Sequence, residues 1–262
     1  MKVSIVTSVL NGAKYLPRCM ESVAYQTYPC EHVIVDGGST DGSQNIALQA
    51  GLLMIEAPGS NISEAFNIGI QNSSGEVVAI LNADDWLERD AVERSVTALQ
   101  KSPQAGFTYG SIVLHYRAHS ITVHPRVTVE DLAPYATKQM LFYHISSFVR
   151  RSVYAEYGLF DQKFKVAMDY DFYARITTKG VCGVYVEGVI AHALTGGVST
   201  STRTRMQDYY QVLSRYHGKF RANYYIAKYT VNSFLYGLLP LEHAIWRVLN
   251  SRSNRQLFRV KK

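Results

Sequence analysis

The stretch Ile34-Val-Asp-Gly-Gly-Ser-Thr-Asp-Gly42 sets carboxylates and glycines directly behind a short apolar run that reads as a buried strand. Further along, Ile80-Leu-Asn-Ala-Asp-Asp85 again puts clustered carboxylates behind a short apolar run. In an open α/β sheet, ligands bind beyond the carboxyl ends of the strands. Carboxylates placed there are costly to desolvate unless a cation or hydrogen-bond donors fill the space between them. Two such ends point to a site for a metal and a polar, phosphorylated ligand.

The flanking sequence supports that sheet. Lys2–Thr7, His32–Asp36, Leu52–Glu56 and Val77–Leu81 read as strands. Between and after them, helical patterns run over Tyr15–Tyr25, from Ser43, from about Ser63, and over Glu88–Lys101. Such alternation gives βαβ units and a mostly parallel sheet. Ser39 or Asp41 is placed to cap the second helix and Ser63 the third. After Pro103 the pattern changes. Phe107–Tyr116 and Ile121–Val127 read as paired strands, Val129–Lys138 as a short helix, Ser146–Arg150 as a strand, Tyr170–Lys179 as a helix and Val181–Val186 as a strand. The expected fold class is α/β, with an appended helical segment.

Bulk properties narrow the class of protein. With 262 residues, 47% hydrophobic and 18% charged, the chain suits a folded globular protein. Cys19, Cys30 and Cys182 are odd in number and widely spaced, which favours a reducing compartment without structural zinc. The opening Met1–Leu10 reads as a strand rather than a secretory leader. Tyr229–Leu241, the longest uncharged apolar run, is interrupted by Asn232 and Pro240 and falls short of the roughly twenty residues a membrane span needs. The formal net charge of +6 hides an asymmetry: Met1–Thr202 is acidic, whereas Arg203–Lys262 carries 12 basic and 2 acidic residues. The expected division is a catalytic domain over 1–200 and a basic, aromatic, helical extension over 201–262.

Each motif has a bland reading beside its chemical one. Asp36 at a strand end can accept from a base or ribose, and Gly37 and Gly38 let a ligand approach the backbone; an ordinary Gly/Ser/Asp turn also explains them. Adjacent Asp84 and Asp85 repel unless a cation, protonation or water relieves them. A hard ion such as Mg²⁺ takes one or two carboxylates and completes its shell with phosphate oxygens, but a helix N-terminus also favours Asp. Within Ala167-Met-Asp-Tyr-Asp171, Asp169 and Asp171 suit a helix cap or a general base, and spacing does not choose.

Taken together, and with Ile5–Asn11, Ser63–Ile70, Gly75-Glu76, Ser147–Tyr154, Gly158–Asp161 and Gly196–Ser199, these motifs resemble the inverting family 2 glycosyltransferases of GT-A fold. The likeness covers Lys2 to about Ser199. It implies a mixed, mostly parallel sheet flanked by helices. It implies that Asp36 contacts the nucleotide, with Asn11, Gly38 and Asp41 around the pocket and Asn82 and Ala83 beside the donor. Asp84 matches the last position of the family's Asp-x-Asp metal motif, for Mg²⁺ or Mn²⁺, and Asn82 replaces the first. Asp169 matches the catalytic base, preceded here by Met168 rather than Glu. His192 either completes the metal shell or is a plain histidine. Gly196 and Gly197 suit a loop over the diphosphate or a structural turn.

The implied reaction moves a sugar from a nucleotide-diphosphate donor, UDP-sugar favoured, to the hydroxyl of a glycan or polyprenyl-linked acceptor in cell-surface polysaccharide synthesis. The expected location is the cytoplasm, with Arg203–Lys262 touching an anionic membrane at its inner face; a solvated helical face packed on the main domain is the plainer alternative. Nucleic acid is not expected, because no recognition motif accompanies the charge. Rival functions are a nucleotidyltransferase, which lacks the expected phosphate loop here, and a catalytically degenerate nucleotide-sugar binder, motivated by Asn82 and Met168.

Overall fold

The computed structural model describes residues 1–125, 132–195 and 202–238. The Gly196-Gly197 loop, Val127, Val129–Asp131 and the chain beyond Leu238 lie outside the described residues.

Four parallel strands form the first half of the sheet: β1 (Val3–Val9), β2 (Glu31–Asp36), β3 (Leu53–Glu56) and β4 (Val77–Ile80), in the order β3-β2-β1-β4. Val33, Ile34, Val35, Val77 and Val78 are wholly buried, as the continuous apolar runs require in strands covered on both faces. Helices α1 (Leu16–Ala24), α2 (Ser43–Gln49) and α3 (Ile62–Asn72) make the crossovers. The cap of α3 is Asn61 rather than the expected Ser63, its side chain accepting from the Glu64 N–H at 3.0 Å. Burial of Phe66 on α3 contributes on the order of 2 kcal/mol. Gly69 brings the same helix against β1, where a Cβ would sit 2.2 Å from Val6 Cγ1.

The register aligns the functional ends. Val9 pairs with Asp36, Val6 pairs with Ile80, and the Leu81 N–H donates to Val6 O. The segments Asn11–Gly12, Asp36–Gly38 and Asn82–Asp85 therefore leave the sheet side by side.

The second half is mixed. A two-residue strand, β5 (Trp86–Leu87), precedes α4 (Ala91–Lys101), so Glu88 lies before the helix it was expected to start. Then come β6 (Ala105–His115), β7 (Ser120–Val123), α5 (Leu132–Ala136), a 3₁₀ turn at His144–Ser146, β8 (Phe148–Arg150), α6 (Arg151–Tyr157), α7 (Met168–Thr178) and β9 (Cys182–Leu194). The full order is β3-β2-β1-β4-β8-β6-β9-β5, with β7 paired to β6. Strand β9 runs well past the expected end at Val186, and its far end pairs Trp86 with His192 and Leu87 with Ala191. The loop entering α7 is tied down by Asp208, whose carboxylate accepts from the N–H groups of Lys165, Val166 and Ala167 at 2.8, 2.8 and 3.3 Å.

Asp208 lies on α8 (Thr202–Leu238), which is broken at Gly218 by a non-helical φ of 73°. The chain divides into two compact units, Met1–Val212 and Leu213–Lys262. The first turns of α8 belong to the first unit, where Tyr209 meets Tyr170 edge-on.

Candidate active site

The first group of site residues locks two loops together. Asn11 adopts a left-handed φ of 52°, which asparagine tolerates better than most residues. Its Oδ1 accepts from Thr40 N–H at 2.9 Å, and its own N–H donates to Ser39 Oγ at 2.9 Å. The Asp41 carboxylate accepts from Ala13 N–H at 2.9 Å and from Ser43 Oγ at 2.6 Å, bonds that hold its pKa below the ordinary carboxylate value. Asp41 also receives the Ser43 N–H at 3.1 Å, a capping contact from one residue before the cap position Gly42. The rigid loop pair is thus built by Asn11 and Asp41, which spend their hydrogen bonds on it.

Asp36 is placed differently. It is fully buried, and its Oδ1 accepts from Gly38 N–H, Ser39 N–H and Gln44 Nε2 at 2.8–2.9 Å. Burial opposes ionisation, yet the bonds from Ser39, Gln44 and Gly38 outweigh it and hold the carboxyl below its usual pKa. Its Oδ2 is buried with no hydrogen-bond partner among the described residues. A buried charged oxygen without a donor is costly, and a ligand donor at this point removes that cost. Gly38, at φ +100°, gives the loop a turn that L side chains rarely adopt.

The acidic loop after β4 separates two roles that the sequence left merged. Asp85 is buried and accepts from Asn82 Nδ2 at 2.7 Å and from the Leu194 N–H. Burial and the neighbouring Asp84 charge push its pKa up to about 7. Asp85 therefore faces inward and braces the loop against the end of β9. Asp84 is half-buried, and burial raises its pKa too. The Asn82 Oδ1 is buried without a partner among the described residues. Ala83 stands beside the first loop, 3.5 Å from where a Cβ on Gly12 would lie.

A half-buried carboxylate, Asp84, and an unpartnered amide oxygen, Asn82 Oδ1, are groups that suit a hard divalent cation. Among the described residues no cluster of three or more His, Cys, Asp or Glu forms a cation cage. A site completed by substrate needs none.

Across this loop stands Asp169, in the first turn of α7. The structure distinguishes it from Asp171, which is wholly buried and faces Arg175 on its own helix. The side chain of Asp169 remains 18% exposed. Its Oδ1 accepts from Tyr170 N–H at 2.7 Å, and its Oδ2 meets His144 Nδ1 at 3.0 Å. Asp85 acts electrostatically on the same His144. An unbroken series of neighbours thus runs from Asp36 through the aligned strand ends to the acidic loop, His144 and Asp169.

His192 is engaged elsewhere. Its Nε2 meets Glu88 Oε1 at 2.6 Å, its Nδ1 meets His115 Nε2 at 3.0 Å, and Ser120 Oγ meets His115 Nδ1 at 2.8 Å. The His192 ring stacks on Trp86, with centroids 5.0 Å apart, and the Arg18 guanidinium covers Trp86 at 3.2 Å. Both ring nitrogens of His192 thus have protein partners, and a metal ion would have to displace Glu88 or His115 to reach one of them. Sequence reasoning missed Glu88, His115, His144 and the inward role of Asp85. The Tyr143-His144-Ile145 run carried no periodic signal, and its partner lies 25 residues away in sequence.

This mixed, mostly parallel sheet flanked by helices is a GT-A architecture. The family model for "Glycosyl transferase family 2" matches residues 4–158, and the chain belongs to that family. A glycosyltransferase of Rickettsia typhi, RT0329, is 27% identical over 223 residues, covering 80% of this chain and 70% of that protein. The PGL/p-HBAD biosynthesis glycosyltransferase of Mycobacterium bovis is 29% identical over 180 residues, covering 66% and 68%. Glycosyltransferase GlyA of Streptococcus pneumoniae is 38% identical over 98 residues, but the match spans only 14% of its length. Among solved structures, S. aureus TarS 1-349 in complex with UDP-GlcNAc superposes with a TM-score of 0.64 at 16% identity, covering 98% of this chain and 77% of that one. The mannosyltransferase PcManGT of Pyrobaculum calidifontis, in complex with GDP-Man and Mn²⁺, gives 0.62 at 19% identity, covering 86% and 69%. Both of these fold neighbours are solved with a nucleotide sugar bound.

Proposed function

We propose that the protein transfers a sugar with inversion from a nucleoside-diphosphate donor, UDP-sugar favoured, to a hydroxyl of a glycan or lipid-linked acceptor. The observation that carries this reading is the alignment of the Asp36, Asn82–Asp85 and Asp169 segments around one end of the sheet, with the Asp36 Oδ2 and Asn82 Oδ1 left unpartnered. Asp36 accepts a hydrogen bond from the nucleoside, within the loops that Asn11, Gly38 and Asp41 hold in place. Asp84 and the Asn82 oxygen are the groups that hold Mg²⁺ or Mn²⁺; His192 joins them only by giving up Glu88 or His115. A bound divalent cation supplies charge neutralisation for the departing diphosphate. Asp169, as general base, takes the acceptor proton. A single displacement from the opposite face inverts the anomeric centre, and positioning of the two reactants is the large rate term.

The test is to follow nucleoside diphosphate release from UDP-, GDP- and dTDP-sugars with Mn²⁺ or Mg²⁺, and to read the product anomer by proton NMR. Release with an inverted product is expected. Product of retained configuration removes the single-displacement reading. Donor binding without turnover favours the second reading, a nucleotide-sugar binder, which Asn82 and Met168 motivate.

The basic segment is proposed to touch an anionic bilayer. Lys219, Phe220, Arg221, Tyr224 and Lys228 are all exposed on one stretch of helix, and no described helix is long and apolar enough to cross a membrane. Flotation that weakens with salt is expected; equal recovery with neutral and anionic vesicles removes the proposal.

A further inference from the structure

We propose that His144 is the positioning residue of the general base, its imidazole holding the Asp169 carboxylate in place and setting the pH range over which that carboxylate works. This deepens the assignment of Asp169 as base and rests on it.

His144 opens a 3₁₀ turn that is fixed on three sides. Ser146 Oγ donates to Tyr143 O at 2.8 Å, Gly110 N–H donates to Ser146 Oγ at 3.2 Å, and Ile145 is buried in the core with Ala79, Ile112 and Val186. The Phe66 ring of α3 leans on the imidazole with centroids 6.1 Å apart. From this fixed platform Nδ1 reaches Asp169 Oδ2, while Tyr170 N–H holds Oδ1. A carboxylate gripped at both oxygens has little freedom to rotate.

The division of labour follows from burial. The His144 Nε2 is buried and has no hydrogen-bond partner among the described residues, so it offers no atom to an acceptor in solution. The two side chains are similarly exposed, 15% for His144 and 18% for Asp169, so the distinction lies in that buried nitrogen, whereas no Asp169 oxygen is buried without a partner among the described residues. Met168, not a carboxylate, precedes Asp169, and the imidazole is the titrating group in contact with the base.

The charges acting on His144 are Asp169 from α7 and Asp85 from the loop after β4. Strands β4, β6 and β9 meet the turn through the apolar core around Ile145, and α3 meets it through Phe66. Burial lowers the imidazole pKa, but the Asp169 hydrogen bond and the charges of Asp169 and Asp85 outweigh burial and leave it above the ordinary value.

In the transfer step, a lone pair of the acceptor oxygen forms the bond to the anomeric carbon, and its proton passes to Asp169. The bond from that carbon to the diphosphate oxygen breaks, its electron pair leaving with the nucleoside diphosphate. Neutral His144 donates Nδ1–H throughout, so protons balance within the pair. Below the imidazole pKa a second proton makes His144 cationic and weakens the carboxylate as a base. The acid limb of kcat/KM then reports the pair.

The experiment compares kcat/KM against pH for the full chain, His144→Asn, His144→Phe and Asp169→Asn. An asparagine amide donates to the carboxylate but does not titrate. The expected result is a native acid limb above pH 6.5, about the free imidazole value. His144→Asn should keep activity within roughly tenfold at pH 8 and move that limb down by at least about one unit. His144→Phe should lose at least about tenfold in kcat with the donor KM unchanged. A native-like acid limb in His144→Asn overturns the proposal while Asp169→Asn is inactive. Full turnover by Asp169→Asn instead overturns the base assignment itself. Should the His144 variants fail to fold, NMR of the imidazoles in the native protein and in Asp169→Asn decides: the His144 midpoint must fall in the variant, and an unchanged midpoint refutes the coupling.

Discussion

The Asn82 amide donates to Asp85 at 2.7 Å, which holds one of two adjacent carboxylates inward and leaves Asp84 as the outward member. Asn82→Ala removes a donor from a buried acid and is expected to cost about 1–3 kcal/mol. Thermal unfolding at pH 8 checks this. Adding Asp85→Asn should restore part of the loss, because no charge is then left buried; equal melting temperatures for Asn82→Ala and the native protein contradict the bracing role.

His32 gives the chain an acid sensitivity of its own. It is buried beside Thr7, its Nε2 3.0 Å from the hydroxyl, and burial lowers its pKa from 6.5 to about 4. As pH falls below 6.5 the unfolded chain takes up a proton that the folded chain refuses, so stability is lost between pH 6.5 and 4. The loss from this group is on the order of 3 kcal/mol. Denaturant melts of His32→Gln across that window should show a shallower decline than the native protein; parallel declines count against it.

The packing of α3 on β1 predicts a third outcome. Gly69→Ala drives a methyl into Val6 and is expected to destabilise by about 1–3 kcal/mol. Urea unfolding measures it. Gly59→Ala, where no heavy atom lies within 4 Å of the new Cβ but φ is +80°, isolates the cost of backbone strain alone and is expected to be smaller.

Much of this was legible in the residues. The parallel half of the sheet announced itself because Val33-Ile-Val35 and Val77–Leu81 are apolar without alternation, and the carboxylates behind them marked the ends. The mixed half was harder to read. Strand β5 is two residues long, too short for any period. Strand β9 pairs β6 with register shifts near Ser111 and turns at Gly188, so its alternation breaks after Val186. The site was legible as a set of acids but not as a set of partners. Nothing local distinguishes Asp84 from Asp85, or ties His144 to Asp169, because those differences arise from the packing of segments far apart in the chain.

Nucleotide contact by Asp36 predicts a selective loss. Asp36→Asn keeps the Oδ1 that receives Gly38, Ser39 and Gln44 but turns the unpartnered Oδ2 into a donor. UDP affinity should fall roughly 10- to 100-fold, as for a lost charged hydrogen bond of about 1.5–3 kcal/mol. Isothermal titration reads it, with a melting temperature near native as the control for folding.

The most direct measurement titrates UDP in the presence of Mn²⁺ into the native protein, Asp36→Asn, Asp84→Asn and Asp169→Asn, and follows donor turnover in the same four samples. One shared site predicts weakened binding for the first two variants, and native binding without turnover for Asp169→Asn. Unchanged UDP–Mn²⁺ affinity in Asp36→Asn and Asp84→Asn, or native turnover by Asp169→Asn, contradicts it.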